Sequence, residues 1–133
     1  MIFVETSAIV AIMLDEPVAK NLAATIANAE RCVTGSHVRL ETCMVVASRR
    51  NLPAAEVSAE FDVLLQQTRM SVLPLTDEIA IAAILAFDRY GKGRNSKTAL
   101  NLADCMSYAF AKTRNLKILY TGTDFKGTDL KAA

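Results

Sequence analysis

The sequence predicts an α/β fold: a three-layer α/β/α sandwich around a mostly parallel central sheet of four to five strands. Two observations predict it. Short, mostly apolar runs of three to five residues recur along the chain, as strands buried on both faces require. Between them lie longer segments with apolar residues at helical spacing, the alternation that builds parallel sheets. At 133 residues, the chain has enough mass for one domain, spanning residues 1–133, and shows no linker, internal repeat or low-complexity tract.

Ile2-Phe3-Val4 reads as the first strand, placed centrally because it is wholly apolar. Ile9 to Leu14 is helix-like and stops at Asp15-Glu16-Pro17. Pro17 suits a first helical turn, and Val18 to Ala29 follows as a helix with Leu22 and Ile26 inward and Lys20 and Asn28 outward. Arg31 to Thr34 is a second strand, Gly35-Ser36 a turn that offers a candidate N-cap, and His37 to Arg50 a helix. Arg49 and Arg50 are accounted for by the negative end of its dipole. After the break at Asn51-Leu52-Pro53, Ala54 to Thr68 forms a helix with Val57, Phe61, Leu64 and Leu65 on one face. Ser71 to Leu75 is a third strand. Thr76 caps a helix from Asp77 to Tyr90, and residues 91–97 form a basic loop. Asn101 caps a mostly apolar helix over about 101–115, Lys117 to Tyr120 is a fourth strand, and the tail from Lys126 either frays or adds a short edge strand.

The composition narrows the function. Hydrophobic residues make up 52% of the chain and the formal net charge is +1, the profile of a soluble globular domain without a basic nucleic-acid-binding patch. No apolar run is long enough to span a membrane. The N-terminus reaches Glu5 without a basic region, so no signal peptide is expected and the expected location is cytoplasmic. Cys32, Cys43 and Cys105 are widely spaced in apolar surroundings and read as reduced core thiols rather than a zinc site. His37, the only histidine, has no evident partner and reads as a surface or capping residue.

Four acids fall where sites form in an open parallel sheet, at the carboxyl ends of the strands. Glu5 follows strand one, Asp124 lies just past strand four, and Asp104 begins the helix leading into strand four. Glu41 is near the start of the helix after strand two, where Leu40, Met44 and Val45 mark an inward face. Each has a plainer structural reading. Asp104 is well placed to cap its helix, Asp124 to form an Asx turn, Glu5 to end a strand and Glu41 to face solvent. Their convergence favours function. Four neighbouring carboxylates repel without cations; hard oxygen donors suit Mg²⁺ or Mn²⁺, and such ions at a sheet rim serve hydrolysis of a phosphodiester by activated water.

Three stretches, Met1-Ile2-Phe3-Val4-Glu5-Thr6-Ser7-Ala8, Leu100 to Ala109, and Gly122-Thr123-Asp124-Phe125 with Thr128-Asp129, carry a resemblance that runs over nearly the whole chain. In this order and spacing they resemble the PIN-domain family, specifically the VapC-type toxins of bacterial toxin–antitoxin pairs. The resemblance implies a Mg²⁺- or Mn²⁺-dependent endoribonuclease and a homodimer, held in check by an antitoxin protein. It sets the catalytic acids at Glu5, Glu41, Asp104 and Asp124, with Glu5, Asp104 and Asp124 as metal ligands, Ser7 as the supporting hydroxyl and Asp129 as a weaker candidate. Lys92, Arg94 and Lys97 are candidate contacts for the RNA backbone, with a solvated loop as the alternative.

The chain departs from the family at one position: the first acid is usually aspartate and here is Glu5. The extra methylene requires the carboxylate to retract or rotate, and Mg²⁺ tolerates little misplacement. Two readings follow, an active ribonuclease that tolerates Glu5 and a PIN-fold binding module that has lost catalysis and works through antitoxin or RNA. A response-regulator receiver needs an acid pair after strand one and a lysine after the last strand; a haloacid-dehalogenase-like phosphatase needs Asp-x-Asp after strand one. Neither pattern is present.

Overall fold

The structure, a computed structural model of residues 1–133, has four strands and six helices. They are β1 (Ile2–Val4), α1 (Thr6–Met13), α2 (Ala19–Asn28), β2 (Cys32–Gly35), α3 (Ser36–Arg50), α4 (Ala54–Thr68), β3 (Ser71–Leu73), α5 (Asp77–Tyr90), α6 (Leu102–Thr113) and β4 (Lys117–Leu119). The sheet order is β3-β2-β1-β4 and every pairing is parallel. The tail adds no strand. It contributes one isolated bridge, Ile118 to Ala132, beside β4.

The central place of β1 follows from its residues. Phe3 and Val4 are completely buried, and only a strand flanked on both edges and covered on both faces hides every side chain. Strand β2 is equally buried, whereas β3 at the edge is half-buried. The chain moves outward from β1 to β2 and β3, then returns to the other side of β1 for β4. The carboxyl ends of β1 and β4 therefore meet at the point where strand order reverses, the usual crevice of such sheets.

The helices cover the sheet as an α/β/α sandwich, with α5 packed along α6 and α3 against α1 and α4. Phe3, Phe61, Phe110, Ile9, Leu100 and Ile118 are the largest fully buried side chains. No helix is long and apolar enough to cross a membrane.

Three expectations are corrected. Gly35 and Ser36 form no separate turn: Gly35 ends β2 and is itself the N-cap of α3, which starts at Ser36; the Ser36 hydroxyl accepts from the Leu75 N–H. His37 is not a surface residue. It is buried, its Nε2 lies 2.8 Å from the Ser107 hydroxyl, and its ring is parallel to Phe110 at 5.4 Å. Gly35 permits this, since a Cβ there would stand 2.6 Å from the imidazole. Finally, Leu40 and Met44 face outward, 63% and 58% exposed. The inward stripe of α3 is His37, Val38, Thr42, Cys43, Val46 and Ala47. The three cysteines are free and buried, as expected of core thiols.

Candidate active site

Glu5 is both the last word of β1 and the first of α1. Its backbone N–H donates to the Leu119 carbonyl at 3.0 Å, which extends the β1–β4 ladder by one residue. Its side chain then caps α1: Oε2 accepts from the Ser7 N–H at 2.9 Å and the Ser7 hydroxyl at 2.6 Å. Aspartate is the commoner N-cap acid; the longer glutamate stem still reaches the second helical residue. The Ser7 hydroxyl in turn accepts from the Thr121 N–H at 3.0 Å. One serine therefore joins the acid after β1 to the segment after β4.

Asp104 is fixed by a reciprocal capping box. Its N–H donates to Asn101 Oδ1 at 2.9 Å, and its Oδ2 accepts from the Asn101 N–H at 3.0 Å. Capping and site roles are compatible, because only Oδ2 is committed. Glu41 lies half-buried on α3, and Asp124 is exposed in the turn after β4.

These four acids, with Thr6, Ser7, Asn101 and Thr121, line one pocket of about 280 Å³ at the carboxyl edge of the sheet. Their proximity is visible in their protonation. Burial pushes Glu5 up to about 7, against the opposing effect of the two Ser7 hydrogen bonds, and the charges of Asp104 and Glu41 push the same way. Asp104 rises to about 6, chiefly by burial and then through Asp124 and Glu41, with the Asn101 N–H acting against it. The Thr6 hydroxyl is buried without a partner.

Sequence reading left out two charged residues of the pocket wall, Glu16 and Arg49. In the sequence, the helix dipole alone accounts for Arg49. Both belong to segments that meet only through the packing of α1 on α3. Conversely, Lys92, Arg94 and Lys97 do not line the pocket; Arg94 pairs with Asp88 at 3.0 Å and lies over the Phe87 ring. Asp129 is also elsewhere. It accepts from the Tyr108 hydroxyl at 2.6 Å and the Lys112 ammonium at 2.7 Å, with Arg89 at 3.6 Å.

The donor set fits a hard divalent cation. Every candidate ligand is an oxygen, and Glu5 and Asp104 each keep one carboxylate oxygen free of the hydrogen bonds that position them. As the side chains stand, no three are grouped as ligands of a single ion. Such an ion would keep several of its waters, as Mg²⁺ usually does.

The alternating fold, the reversal of strand order and the acids gathered there agree with a match to the PIN domain over residues 2–131. The chain belongs to the PIN-domain family. Among its relatives is a Ribonuclease VapC from Mycolicibacterium smegmatis, 37% identical over 129 residues and covering 97% of each chain. Ribonuclease VapC36 from Mycobacterium tuberculosis is 40% identical over 129 residues, covering 96% of this chain and 90% of its own. The fold of this PIN domain is similar to that of M. tuberculosis VapC20, described as a sarcin-ricin-loop-cleaving toxin, with a TM-score of 0.77 at 20% identity over 98% of this chain and 96% of the other. It is also similar to a chain of VapBC2 from Rickettsia felis bound to a DNA fragment of its promoter, with a TM-score of 0.70 at 16% identity, covering 100% and 98%.

Proposed function

We propose that this PIN domain is a divalent-cation-dependent endoribonuclease acting as the toxin of a toxin–antitoxin pair. The observation that carries the reading is the meeting of Glu5, Glu41, Asp104 and Asp124, from four separate segments, around one pocket. Curated relatives named ribonucleases at up to 40% identity support it.

Glu5, Asp104 and Asp124 would hold a Mg²⁺ or Mn²⁺ ion, which supplies activation of water and neutralises charge on the phosphodiester. Ser7 keeps the Glu5 carboxylate at the end of β1 and ties it to the Thr121 segment that carries Asp124. The capping box holds Asp104 rigid while leaving one oxygen to face the pocket. Glu41 contributes negative charge that raises the affinity for a cation. Lys92, Arg94 and Lys97 would meet the RNA backbone away from the pocket itself.

An antitoxin protein is the proposed partner. Similarity to a toxin–antitoxin complex from Klebsiella pneumoniae, with a TM-score of 0.70 at 17% identity, covers 97% of this chain and 93% of the other. The chain is also proposed to act as a homodimer in the cytoplasm, which light scattering of the purified protein tests for the dimer.

A second reading, a binding module without catalysis, is favoured by one observation. Both Glu5 hydrogen bonds fall on the same oxygen, Oε2, so the position of the other depends on a stem longer than the family's usual aspartate. Incubation of structured RNA with the chain, Glu5→Asp and Asp104→Asn, each with Mg²⁺, Mn²⁺ or EDTA, separates the two. Metal-dependent cutting by the chain, lost in Asp104→Asn, supports the ribonuclease. Cutting by Glu5→Asp alone supports the binding module. If nothing cuts and a Mn²⁺ titration finds no binding that depends on Asp104, the acidic metal site is wrong.

A further inference from the structure

The pocket wall is electrostatically one-sided. Five of its residues are carboxylates, Glu5, Glu16, Glu41, Asp104 and Asp124, and a single residue, Arg49, is cationic. An RNA phosphodiester approaching these acids is repelled unless positive charge meets it. A divalent cation accounts for part of that charge. Nothing else in the wall except Arg49 can add to it.

Arg49 is placed for the task by helical period. It lies four residues beyond Val45 and eight beyond Glu41, so the three form one stripe of α3, and all three line the pocket. The neighbouring arginine shows what a committed side chain looks like. Arg50 donates to the Met13 carbonyl and pairs with Glu60 at 2.7 Å. Arg49 has one contact, to Glu16 at 3.7 Å, and is 62% exposed. A long, solvated pair of this kind contributes little and exchanges easily.

A second observation points to a ligand in the same place. Thr6 is 6% exposed, its hydroxyl has no hydrogen-bond partner, and it lines the pocket too. A buried hydroxyl left without a partner is costly, and a bound oxyanion or its water shell supplies one.

We propose that Arg49 is the phosphate-binding residue of this site, gripping the RNA backbone at the pocket mouth, and that Glu16 holds the guanidinium there until RNA displaces it. The inference rests on the ribonuclease reading and adds to it a residue for substrate binding. Guanidinium suits the role because its planar fork bonds two phosphate oxygens at once. No bond to carbon or phosphorus is made or broken by Arg49. It exchanges one anionic partner for another.

The test uses the full chain and a single-stranded RNA oligonucleotide. Binding is measured in Ca²⁺ over a range of salt concentrations, and cleavage is measured in Mn²⁺. For Arg49→Ala and Arg49→Gln the expected result is a rise in KM of about tenfold or more, as one charge-assisted bidentate contact implies. The slope of log binding constant against log salt should fall in magnitude by about 0.7, the contribution of one phosphate contact on a single strand. Arg49→Lys should restore the slope but only part of the affinity, because it keeps the charge and loses the fork. Glu16→Gln should bind RNA more tightly, since the competitor for Arg49 is weakened.

A merely structural Arg49 would leave the salt slope unchanged. If the wild-type chain binds RNA and Arg49→Ala binds it with the same slope and affinity, this inference is overturned and the ribonuclease reading survives. If the wild-type chain neither binds nor cuts RNA, both fall together. Melting curves confirm that each variant is folded.

Discussion

Helix α6 meets carboxylates in two places, and the two could hardly be treated more differently. At its N-terminus Asp104 stands with Glu5, Glu41 and Asp124, and burial, with repulsion from Asp124 and Glu41, raises its affinity for a proton. Further along, Tyr108 and Lys112 of the same helix grip Asp129. Burial alone would raise Asp129 as well, but the bonds from Lys112 and Tyr108 and the charge of Arg89 hold it below the usual carboxylate range. One acid is fully partnered. The others are gathered around a space and left short of positive charge. The acid partnered by the chain's own cations serves the fold; acids gathered without one are what the proposed metal site requires.

The largest expected difference is in activity. Asp104→Asn should reduce metal-dependent RNA cleavage by at least about 100-fold, since even residues that merely orient metal ligands cost 10–100-fold when lost. Asp129→Asn should leave cleavage within about threefold, the scale of a change that touches no ligand. Initial rates of the two variants on one RNA, side by side, check the contrast. Equal losses would break it.

Stability should then move the opposite way. Glu5 is 4% exposed and its carboxyl is pushed from 4.5 to about 7. Removing that buried charge with Glu5→Gln should stabilise the metal-free protein at pH 8 by up to about 3 kcal/mol, the cost of ionising a carboxyl raised that far. Thermal melting in EDTA reads the gain. Saturating Mn²⁺ should raise the wild-type melting temperature and leave Glu5→Gln nearly unmoved, because a ligand stabilises only the protein that binds it.

The pH dependence sharpens the same point. Glu5 and Asp104 have folded pKa values above their unfolded ones, so their contribution is complete below about pH 4 and is lost as pH rises through about 6 and 7. His37 runs the other way. Desolvation lowers it from 6.5 to about 4, so its contribution is complete above pH 6.5 and is lost as pH falls through 4. The two acids outweigh the one histidine, and metal-free stability should fall between pH 4 and 7. Denaturant melts at several pH values in EDTA measure this; a rise across that window would show that the acids are not buried together.

The smallest effect belongs to the partnered acid. Asp129→Asn should destabilise by about 1 kcal/mol, because its partners Lys112 and Arg89 are exposed and such pairs are individually weak. A loss seen as a small drop in denaturant midpoint, with no change at the pocket, completes the contrast.

Much of this was legible in the residues. The apolar run at 2–4 and the Ile118-Leu119 pair after Lys117 marked buried strands, and Asn101 with Asp104 spelled a helix start. The four acids were legible because each lies shortly after a strand or in the first turns of a helix. Helix α3 was harder. Leu40 and Met44 suggested an inward face, yet the buried stripe includes His37 and Thr42. Polar side chains occupy the core there because Ser107 partners the histidine and Phe110 stacks on it. The displaced Leu40 and Met44 instead border an apolar groove with Leu102 and Met106 beside Glu41. Glu16 and Arg49 were out of reach, since no local pattern reports which turn of α3 packs against the end of α1.

The hydrogen bond from Thr121 to Ser7 spans 114 positions of the chain. Its consequence is temporal. During synthesis the first acid emerges early and waits with one edge of β1 unpaired, since β4 begins only at Lys117. Long-range pairings of this kind form late. The four acids around the pocket are therefore brought together only once β4 and the segment after it have been made, when nearly all of the chain has been translated.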